Sequence, residues 1–227
     1  LDFSFMSFLK KNNIPIGLFY RDCYWLFNEN RKELSTFKRK VSEYYYRYDL
    51  KKYPELIDVF YLPTTLMMNY LPMEFKGPIA SLPPGTQYSN SAAVKIPDSN
   101  DKELRLFYVG GLDEVYDMEM VFSVVKKLPF LKLTVCTRKE EWEKSKDKYS
   151  PYLNDRIRII HKSGSEFKED IENAHISLVY FKPGEYRKFA MPVKLFEYMS
   201  YKKPILSVDM TAVGEFVSEN KIGWEIP

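Results

Sequence analysis

Short apolar runs alternate with longer amphipathic segments through the second half of this chain, and this alternation restricts the fold more than any other sequence feature. From Leu104 onward, the runs that predict strands lie at 104–109, 131–136, 157–161, 176–181, 204–208 and 222–226. The intervening segments at 116–127, 139–148, 166–172 and 192–201 predict helices. Strands that alternate with helices are typical of a parallel sheet covered on both faces. Residues 104–227 therefore predict a complete Rossmann-like domain.

The first half of the chain shows the same alternation with fewer strands. Apolar runs at 14–20, 56–62 and 78–82 predict three strands, and residues 2–12 and 31–53 predict helices. The longer helix carries Leu34, Phe37, Val41, Tyr44, Tyr45 and Tyr48 on one side, which we interpret as its core-facing side, and Pro54 predicts its end. A polar stretch without periodicity predicts a linker at 87–103, between an N-terminal domain at 1–86 and a C-terminal domain at 104–227.

Composition argues against several classes of protein. With 45% hydrophobic and 29% charged residues the chain predicts a soluble globular protein, and no apolar run reaches the roughly 20 residues of a membrane-spanning helix. A net charge of +3 is too small to indicate a nucleic-acid partner. The two cysteines, Cys23 and Cys136, suggest neither a metal site nor a disulfide framework, so we expect a reducing cytoplasm.

One glutamate stands on a short predicted helix within MPVKLFEYMSYKKPILSVD, residues 191–209. Pro192 suits the first position of this helix. A period of 3.6 residues places Lys194, Glu197, Tyr198 and Tyr201 on one face, opposite a core-facing side with Leu195, Phe196 and Met199. The Glu197 carboxylate can accept two hydrogen bonds from a ribose diol, and the helix start favours phosphate oxygens. The helix therefore suits a nucleotide diphosphate, although an exposed ion pair between Lys194 and Glu197 explains the same pattern.

The same residues carry a resemblance to a known family. MPVKLFEYMSYKKPILS, followed by VGEFVSENKIGWEIP, resembles the end of the donor-binding domain in family 4 glycosyltransferases, which have the two-domain GT-B architecture. FYVGGLDEVYD at 107–117 is similar to the first strand and glycine loop of that domain, and LPPG at 82–85 to the strand end before the interdomain linker. The resemblance implies an α/β protein with two Rossmann-like domains. It also implies that this chain is a fragment, with strands of the N-terminal domain before Leu1 and a final helix beyond Pro227.

The function implied by the resemblance is transfer of a sugar from a nucleotide-sugar donor to a hydroxyl acceptor, with retention of anomeric configuration. The implied setting is assembly of a surface polysaccharide or glycan, with a glycan or lipid-linked acceptor, in the cytoplasm at the inner face of the membrane. No cofactor is implied beyond the donor substrate. A metal is not expected either. The other large glycosyltransferase architecture binds manganese through an Asp-x-Asp pair, and no two aspartates in this chain are separated by a single residue.

Candidate donor-binding residues follow the predicted strands, because ligands of open α/β sheets bind outside the carboxyl ends of the strands. Gly110 and Gly111 allow close approach of a pyrophosphate, although they also suit a simple tight turn. Arg138 can reach phosphate or base, or it begins a solvated helix, and His161 can line the base. The full predicted donor site comprises Gly110, Gly111, Arg138, His161, Arg187, Lys188, Lys194 and Glu197. For Arg187 and Lys188, an ordinary surface loop is the alternative interpretation.

Arg21 and Asp22 follow the first strand and are the candidate catalytic residues on the acceptor side. Asp22 can orient an acceptor hydroxyl, although an aspartate after a strand also caps turns and helices. The helix at 31–53 is basic as well as aromatic, which is typical of helices that lie on anionic lipid. Peripheral membrane contact is therefore a second hypothesis for this helix, beside core packing.

Two departures from the family pattern leave other functions open. Family members often carry two glutamates separated by seven residues, but the position eight before Glu197 is Phe189. Many members also place an arginine and a lysine after the glycine loop, where this chain has Asp113, Glu114 and Asp117. A non-catalytic, nucleotide-sugar-binding partner subunit of the same fold is therefore an alternative. A sugar-nucleotide 2-epimerase is another, but the chain has two histidines and no evident carboxylate pair for acid and base catalysis.

Overall fold

The chain divides into two compact units in a computed structural model that describes residues 2–27, 35–86, 102–182 and 184–227. The first unit comprises Leu1–Pro84 and Glu185–Met191, and the second comprises Gly85–Gly184 and Pro192–Pro227. Of the predicted linker at 87–103, only residues 102 and 103 belong to the described part, and the rest lies outside it. Among the described helices, none has the length and apolar character needed to cross a membrane.

The first unit contains a three-stranded parallel sheet in the order β1-β2-β3. Its elements are α1 (Phe3–Lys11), β1 (Gly17–Phe19), α2 (Thr36–Leu56), β2 (Val59–Leu62) and β3 (Ile79–Ser81), with short 3₁₀ turns at Tyr24–Leu26 and Thr65–Tyr70. Its core includes Trp25, Leu50, Tyr53, Phe60, Leu62, Met67 and Phe189. Phe189 belongs to Glu185–Met191, so a short segment that follows much of the second unit in sequence completes the core of the first.

Helix α2 corrects two predictions. It continues through Pro54 to Leu56, because a proline in the last turn removes only one helical hydrogen bond. The side predicted to face the core is exposed: Phe37 is 77%, Tyr44 66% and Tyr45 61% exposed, and Leu34 lies outside the described residues. A helix of 21 residues is about 32 Å long, whereas the strands it covers span only about 10 to 14 Å. The sheet therefore covers only the end of α2 that carries the buried Leu50 and Tyr53.

The second unit contains a six-stranded parallel sheet in the order β6-β5-β4-β7-β8-β9. The strands are β4 (Leu104–Val109), β5 (Leu131–Cys136), β6 (Ile157–Ile160), β7 (Ile176–Val179), β8 (Ile205–Val208) and β9 (Gly223–Ile226). The helices are α3 (Glu119–Lys127), α4 (Lys139–Tyr149), α5 (Lys168–Glu172), α6 (Val193–Ser200) and α7 (Ala212–Glu219). This strand order is the doubly wound Rossmann order, which confirms the predicted fold class. Helix α7 was not predicted, because its two turns are too short to show a periodic pattern.

The strand order reverses between β4 and β7, and this reversal positions the candidate site. Nucleotides and other ligands bind open α/β sheets in the crevice outside the carboxyl ends of the strands at such a switch point. Strand β4 leads directly into Gly110 and Gly111, and the chain after β7 leads towards α6. The pairing of β4 with β7 includes Phe107 opposite Ser177, and β4 pairs with β5 as far as Val109 opposite Cys136.

Candidate functional site

Helix α6 is held against the end of β4 by a buried tyrosine. The Tyr198 ring meets the edge of Phe107 with ring centroids 6.2 Å apart, and its hydroxyl accepts a 2.9 Å hydrogen bond from the Val109 N–H. Burial raises the pKa of this hydroxyl, so it remains protonated at neutral pH. The helical period placed Tyr198 on the face opposite the core-facing side, and this prediction was wrong because the side chain is fully buried. Tyr198 fixes the position of α6 beside the glycine loop.

Lys194 lies one turn before Tyr198 and directs its ammonium group towards the glycine loop. Its Nζ is buried and lies 4.5 Å from the ring centroid of Tyr108 and 4.7 Å from that of Tyr116. Each aromatic face at this range stabilises a desolvated cation by roughly 1 to 2 kcal/mol. Sequence reasoning missed both tyrosines, although their positions on either side of the glycine pair were a usable signal. The three side chains place a fixed positive charge at the switch point.

Gly110 leaves the space that this arrangement needs. Its φ is +156°, and a Cβ at this position would lie 2.7 Å from the Tyr108 hydroxyl and 3.1 Å from Lys194 Nζ. The Gly110 N–H donates to the Cys136 carbonyl at 3.0 Å, and the Tyr108 hydroxyl donates to the Gly111 carbonyl at 2.8 Å. Close packing therefore accounts for the glycine at 110, and its N–H is engaged by the sheet.

Acidic side chains surround Gly111. A Cβ on Gly111 would lie 3.4 Å from Glu141 Oε2 and 3.9 Å from Asp113 Oδ2. Arg138 donates to Glu141 at 3.2 Å, and the Thr137 hydroxyl donates to the other oxygen of the same carboxylate at 3.3 Å. Charge at the loop is thus divided: a cation lies beside Gly110, whereas carboxylates lie beside Gly111, where they favour hydroxyl groups over phosphate oxygens.

Glu197 is half-buried on α6, three residues after Lys194. Its carbonyl accepts a 2.7 Å hydrogen bond from the Ser200 hydroxyl within the last turn of the helix. The neighbouring side chains of Leu195 and Tyr198 are fully buried, so the helix backbone on both sides of Glu197 is held in place. The carboxylate is therefore carried on a fixed element close to the switch point.

Arg138 and His161 lie at the same edge of the sheet as Gly110, as predicted from their positions after β5 and β6. Because neighbouring strands are about 5 Å apart, Arg138 is one strand and His161 two strands, about 10 Å, away from the end of β4. Both side chains are exposed, and His161 Nδ1 lies 2.8 Å from the Thr137 carbonyl oxygen, to which it donates. His161 thus uses Nδ1 for this hydrogen bond, and its Nε2 lies on the other side of the ring.

Arg21 and Asp22 lie in the first unit, after β1. Arg21 is exposed. Asp22 Oδ1 accepts the Tyr24 N–H at 2.8 Å, and Oδ2 accepts the Tyr186 hydroxyl at 2.7 Å. Asp22 thus caps the turn at Tyr24–Leu26 and holds Glu185–Met191 in place, which is the turn-capping role that the sequence left open.

Arg187 and Lys188 belong to Glu185–Met191 and therefore to the first unit. The Arg187 side chain is buried, with its guanidinium carbon 4.9 Å from the Tyr186 ring centroid. Lys188 forms an ion pair with Glu185 at 2.6 Å. Within this segment, both cations thus contact neighbouring side chains of the first unit.

Phe189 occupies the place of the first family glutamate and has a packing role. It is 1% exposed, and its ring centroid lies 4.7 Å from that of Tyr70 and 5.3 Å from that of Tyr186. Its carbonyl accepts a 3.0 Å hydrogen bond from the Thr64 hydroxyl. A glutamate at this position would bury an ionised carboxylate among aromatic rings, which is strongly unfavourable.

This chain is similar to known proteins in its fold but not in its sequence. No protein-family model matches the chain, and no curated protein sequence matches it. Sucrose-phosphate synthase from Thermosynechococcus elongatus matches with a TM-score of 0.63 and 15% identity, over 99% of this chain and 58% of the synthase. WaaG, a glycosyltransferase involved in lipopolysaccharide biosynthesis, matches with a TM-score of 0.58 and 15% identity, over 98% of this chain and 67% of WaaG. A TarM mutant from S. aureus, in complex with fondaparinux, alpha-GlcNAc-glycerol and UDP, matches with a TM-score of 0.54 and 16% identity. This match covers 82% of this chain and 36% of TarM.

The chain has the GT-B glycosyltransferase fold. It spans 58% of the synthase and 36% of TarM, so it corresponds to only part of these proteins. Within the GT-B fold, the six-stranded second unit is a Rossmann-like domain, and the three-stranded first unit is an incomplete counterpart of the other domain. The described residues contain no group of three or more His, Cys, Asp or Glu side chains placed to hold a metal ion.

Proposed function

We propose that this chain is part of a glycosyltransferase that moves a sugar from a nucleotide-sugar donor to a hydroxyl acceptor. The observation that carries the proposal is the buried Lys194 ammonium beside Gly110, at the switch point of the second unit. Nucleotides bind doubly wound sheets at this point, and a cation in a partly desolvated site attracts a diphosphate more strongly than it would in water. The fold neighbours support the proposal, since WaaG is a glycosyltransferase and TarM was crystallised with UDP.

The proposed donor site assigns each part of a nucleotide sugar to a different group. Glu197 accepts the two ribose hydroxyls, and Lys194 neutralises the diphosphate. Arg138 and His161 lie farther along the same sheet edge, where the base extends. The carboxylates beside Gly111 accept hydrogen bonds from hydroxyls of the transferred sugar. This assignment is confined to residues of the second unit and gives no part of the donor to Arg187 or Lys188, which belong to the first.

The proposed source of the rate enhancement is electrostatic. Negative charge develops on the departing diphosphate as the bond to the sugar breaks, and a preorganised cation stabilises this charge. Tyr108 and Tyr116 hold the Lys194 ammonium in position before the reaction begins, so little reorganisation is needed. The reaction so described requires no metal or cofactor beyond the donor. Retention of configuration at the sugar is part of the proposal.

The acceptor is proposed to bind on the first unit, with Arg21 as its exposed contact and Asp22 as a positioning residue held by Tyr24 and Tyr186. A glycan or lipid-linked acceptor in surface polysaccharide assembly fits the described role of WaaG in lipopolysaccharide biosynthesis. We place the protein in the cytoplasm, at the inner face of the membrane.

Helix α2 supports contact with an anionic membrane surface. Its exposed aromatic side chains combine with six cations, Lys38, Arg39, Lys40, Arg47, Lys51 and Lys52, against three carboxylates, Glu43, Asp49 and Glu55. Helices of this composition bind at lipid interfaces through apolar insertion and attraction to anionic headgroups. Phe37, Tyr44 and Tyr45 are exposed in the structure, which supports this contact.

A non-catalytic donor-binding subunit is the second candidate. The observation that favours it is the pair of carboxylates beside Gly111, together with a Gly110 N–H already engaged by the Cys136 carbonyl. Binding of a nucleotide sugar does not require the additional cations that transition-state stabilisation uses.

Calorimetric titration with UDP-, GDP- and ADP-sugars tests the proposal, together with an assay of donor hydrolysis. We expect one donor to bind, with at least tenfold weaker binding by Lys194→Met and Glu197→Gln and unchanged binding by Lys144→Met, which removes an exposed charge from α4. Binding with hydrolysis that both site variants lose supports the enzyme. Binding without hydrolysis supports the subunit. Absence of binding by every nucleotide sugar refutes both.

A further inference from the structure

A second cleft lies at the opposite edge of the six-stranded sheet from Gly110. Its volume is about 600 Å³, and its walls are the ends of α6 and α7 and the starts of β8 and β9. In a parallel sheet all amino ends lie at one edge and all carboxyl ends at the other. The amino-edge cleft, as we call it, is therefore separate from the proposed donor site and does not depend on it.

The amino-edge cleft is positively charged. Of the described residues, three lysines and no carboxylate line it. The buried Lys203 donates from Nζ to the carbonyls of Glu172 and Ala174 at 2.6 and 2.8 Å, while Lys202 and Lys221 are exposed. The carboxyl ends of α6 and α7 each contribute at most about half a negative charge. Lys203 directs its ammonium group to the Glu172 and Ala174 carbonyls, so the exposed Lys202 and Lys221 carry the charge of the cleft. These two lysines outweigh the helix ends by about one positive charge.

Lys202 and Lys221 share an unusual backbone conformation. Each follows the C-cap residue of its helix, and their φ angles are +55° and +54°. Glycine or asparagine is usual at this position, because another side chain in the left-handed region costs roughly 1 to 2 kcal/mol. Two helices therefore end with a lysine where glycine is less strained, and both lysines border the same cleft.

Trp224 forms an aromatic wall of the cleft. Its side chain is 55% exposed, whereas Trp25 is buried in the first unit. The preceding Gly223 packs so closely against β8 that a Cβ would lie 1.8 Å from the Ile205 carbonyl oxygen. This contact fixes the start of β9 and hence the backbone that carries the indole. An exposed indole on a rigid strand, flanked by cations, is a binding surface for a ring that carries a negative charge.

We propose that the amino-edge cleft binds an anionic saccharide, with the sugar ring against Trp224 and the anionic group between Lys202 and Lys221. Its volume falls in the range of small-molecule sites, about 300 to 1,000 Å³, and accommodates one or two sugar rings. Lysine ammonium groups bind phosphate and carboxylate as point charges, so the site selects for charge more than for the geometry of the anion.

Glucose 6-phosphate is the probe, and tryptophan fluorescence of the 227-residue chain is the readout. We expect a saturable change in emission that weakens with added salt, that glucose does not produce and that inorganic phosphate produces only weakly. Trp224→Phe should abolish the fluorescence change. The double variant Lys202→Asn with Lys221→Asn should bind at least tenfold more weakly, and asparagine keeps the left-handed backbone. The control variant Lys139→Asn with Lys144→Asn removes the same charge from α4 and should bind normally.

Four outcomes overturn the proposal: no saturable signal, an equal response to glucose, equal affinity of the Lys202/Lys221 double variant, or loss of binding in the control. If the double variant does not fold, each single substitution is tested, and unchanged affinity in both refutes the site. Glucose 6-phosphate binding that persists in Lys194→Met supports separation from the donor site, whereas its loss there contradicts that separation. These results are independent of whether any nucleotide sugar binds.

Discussion

Replacing Gly110 with alanine should damage both the stability of the second unit and the position of Lys194. The added Cβ would lie 2.7 Å from the Tyr108 hydroxyl, and this fully buried ring has no free space to move into. Movement of the ring would break the hydrogen bond from Tyr108 to the Gly111 carbonyl, worth about 1 kcal/mol. The backbone at φ +156° adds strain of roughly 1 to 2 kcal/mol for a residue with a side chain.

Together these effects predict a loss of roughly 2 to 3 kcal/mol in the free energy of unfolding, or about 4 to 12 °C in Tm for a chain of this size. Chemical denaturation followed by circular dichroism measures this loss. Two control variants separate its causes. Gly164→Ala introduces a side chain at φ +55° with no atom within 4 Å, so it shows backbone strain alone. Gly111→Ala meets its nearest atom at 3.4 Å and should cost less than about 1 kcal/mol.

The close approach of Lys194 Nζ, 3.1 Å from the added Cβ, predicts that Gly110→Ala also displaces the ammonium group. Any nucleotide sugar that binds the wild-type chain should therefore bind this variant at least tenfold more weakly. Unchanged stability in Gly110→Ala, or a loss no larger than that of Gly164→Ala, would refute the packing argument. A full loss of stability with unchanged donor affinity would instead refute the placement of the donor beside Lys194.

Three further predictions concern other parts of the chain. Burial raises the pKa of Asp117, but hydrogen bonds from Lys148, Lys182 and the Glu119 N–H lower it from 3.8 to about 2. Roughly 2.4 kcal/mol of stability should therefore disappear as the pH falls from about 4 to about 2. That pH dependence should be absent from Asp117→Asn in acid unfolding curves. Phe189→Glu, which introduces the family glutamate, should destabilise the first unit by more than about 3 kcal/mol in urea unfolding. It should not create donor hydrolysis, and a stable variant that gains this activity would contradict the prediction. Serine at Phe37, Tyr44 and Tyr45 should lower co-sedimentation with anionic vesicles while leaving stability unchanged; equal binding of the wild type to neutral vesicles would exclude an electrostatic contribution.

The sequence was sufficient to predict the parallel sheet of the second unit and the edge of that sheet at which the candidate site lies. The alternation of strands and helices after Leu104 predicts a doubly wound domain, because apolar runs of strand length must pair and be covered on both faces. Residues that follow parallel strands lie at one edge, and Gly110, Arg138 and His161 do so, whereas their part in donor binding stays a prediction. Local pattern is enough for such statements, since chain direction alone determines which end of a strand a residue follows.

The sequence did not show which side chains pack against one another. A helical period shows which side chains share a face, but it does not show what covers that face: Tyr44, Tyr45 and Tyr48 of α2 face solvent, while Tyr198 is buried. Nor does it show that Glu185–Met191 belongs to the first unit, because that assignment depends on contacts between residues distant in sequence, such as Thr64 with Phe189 and Asp22 with Tyr186. The buried position of Lys194 between Tyr108 and Tyr116 has the same origin. The sequence alone determined the alternating fold and the candidate charge at 194, and tertiary structure decided where that charge points, because burial is a property of the partners that surround a side chain.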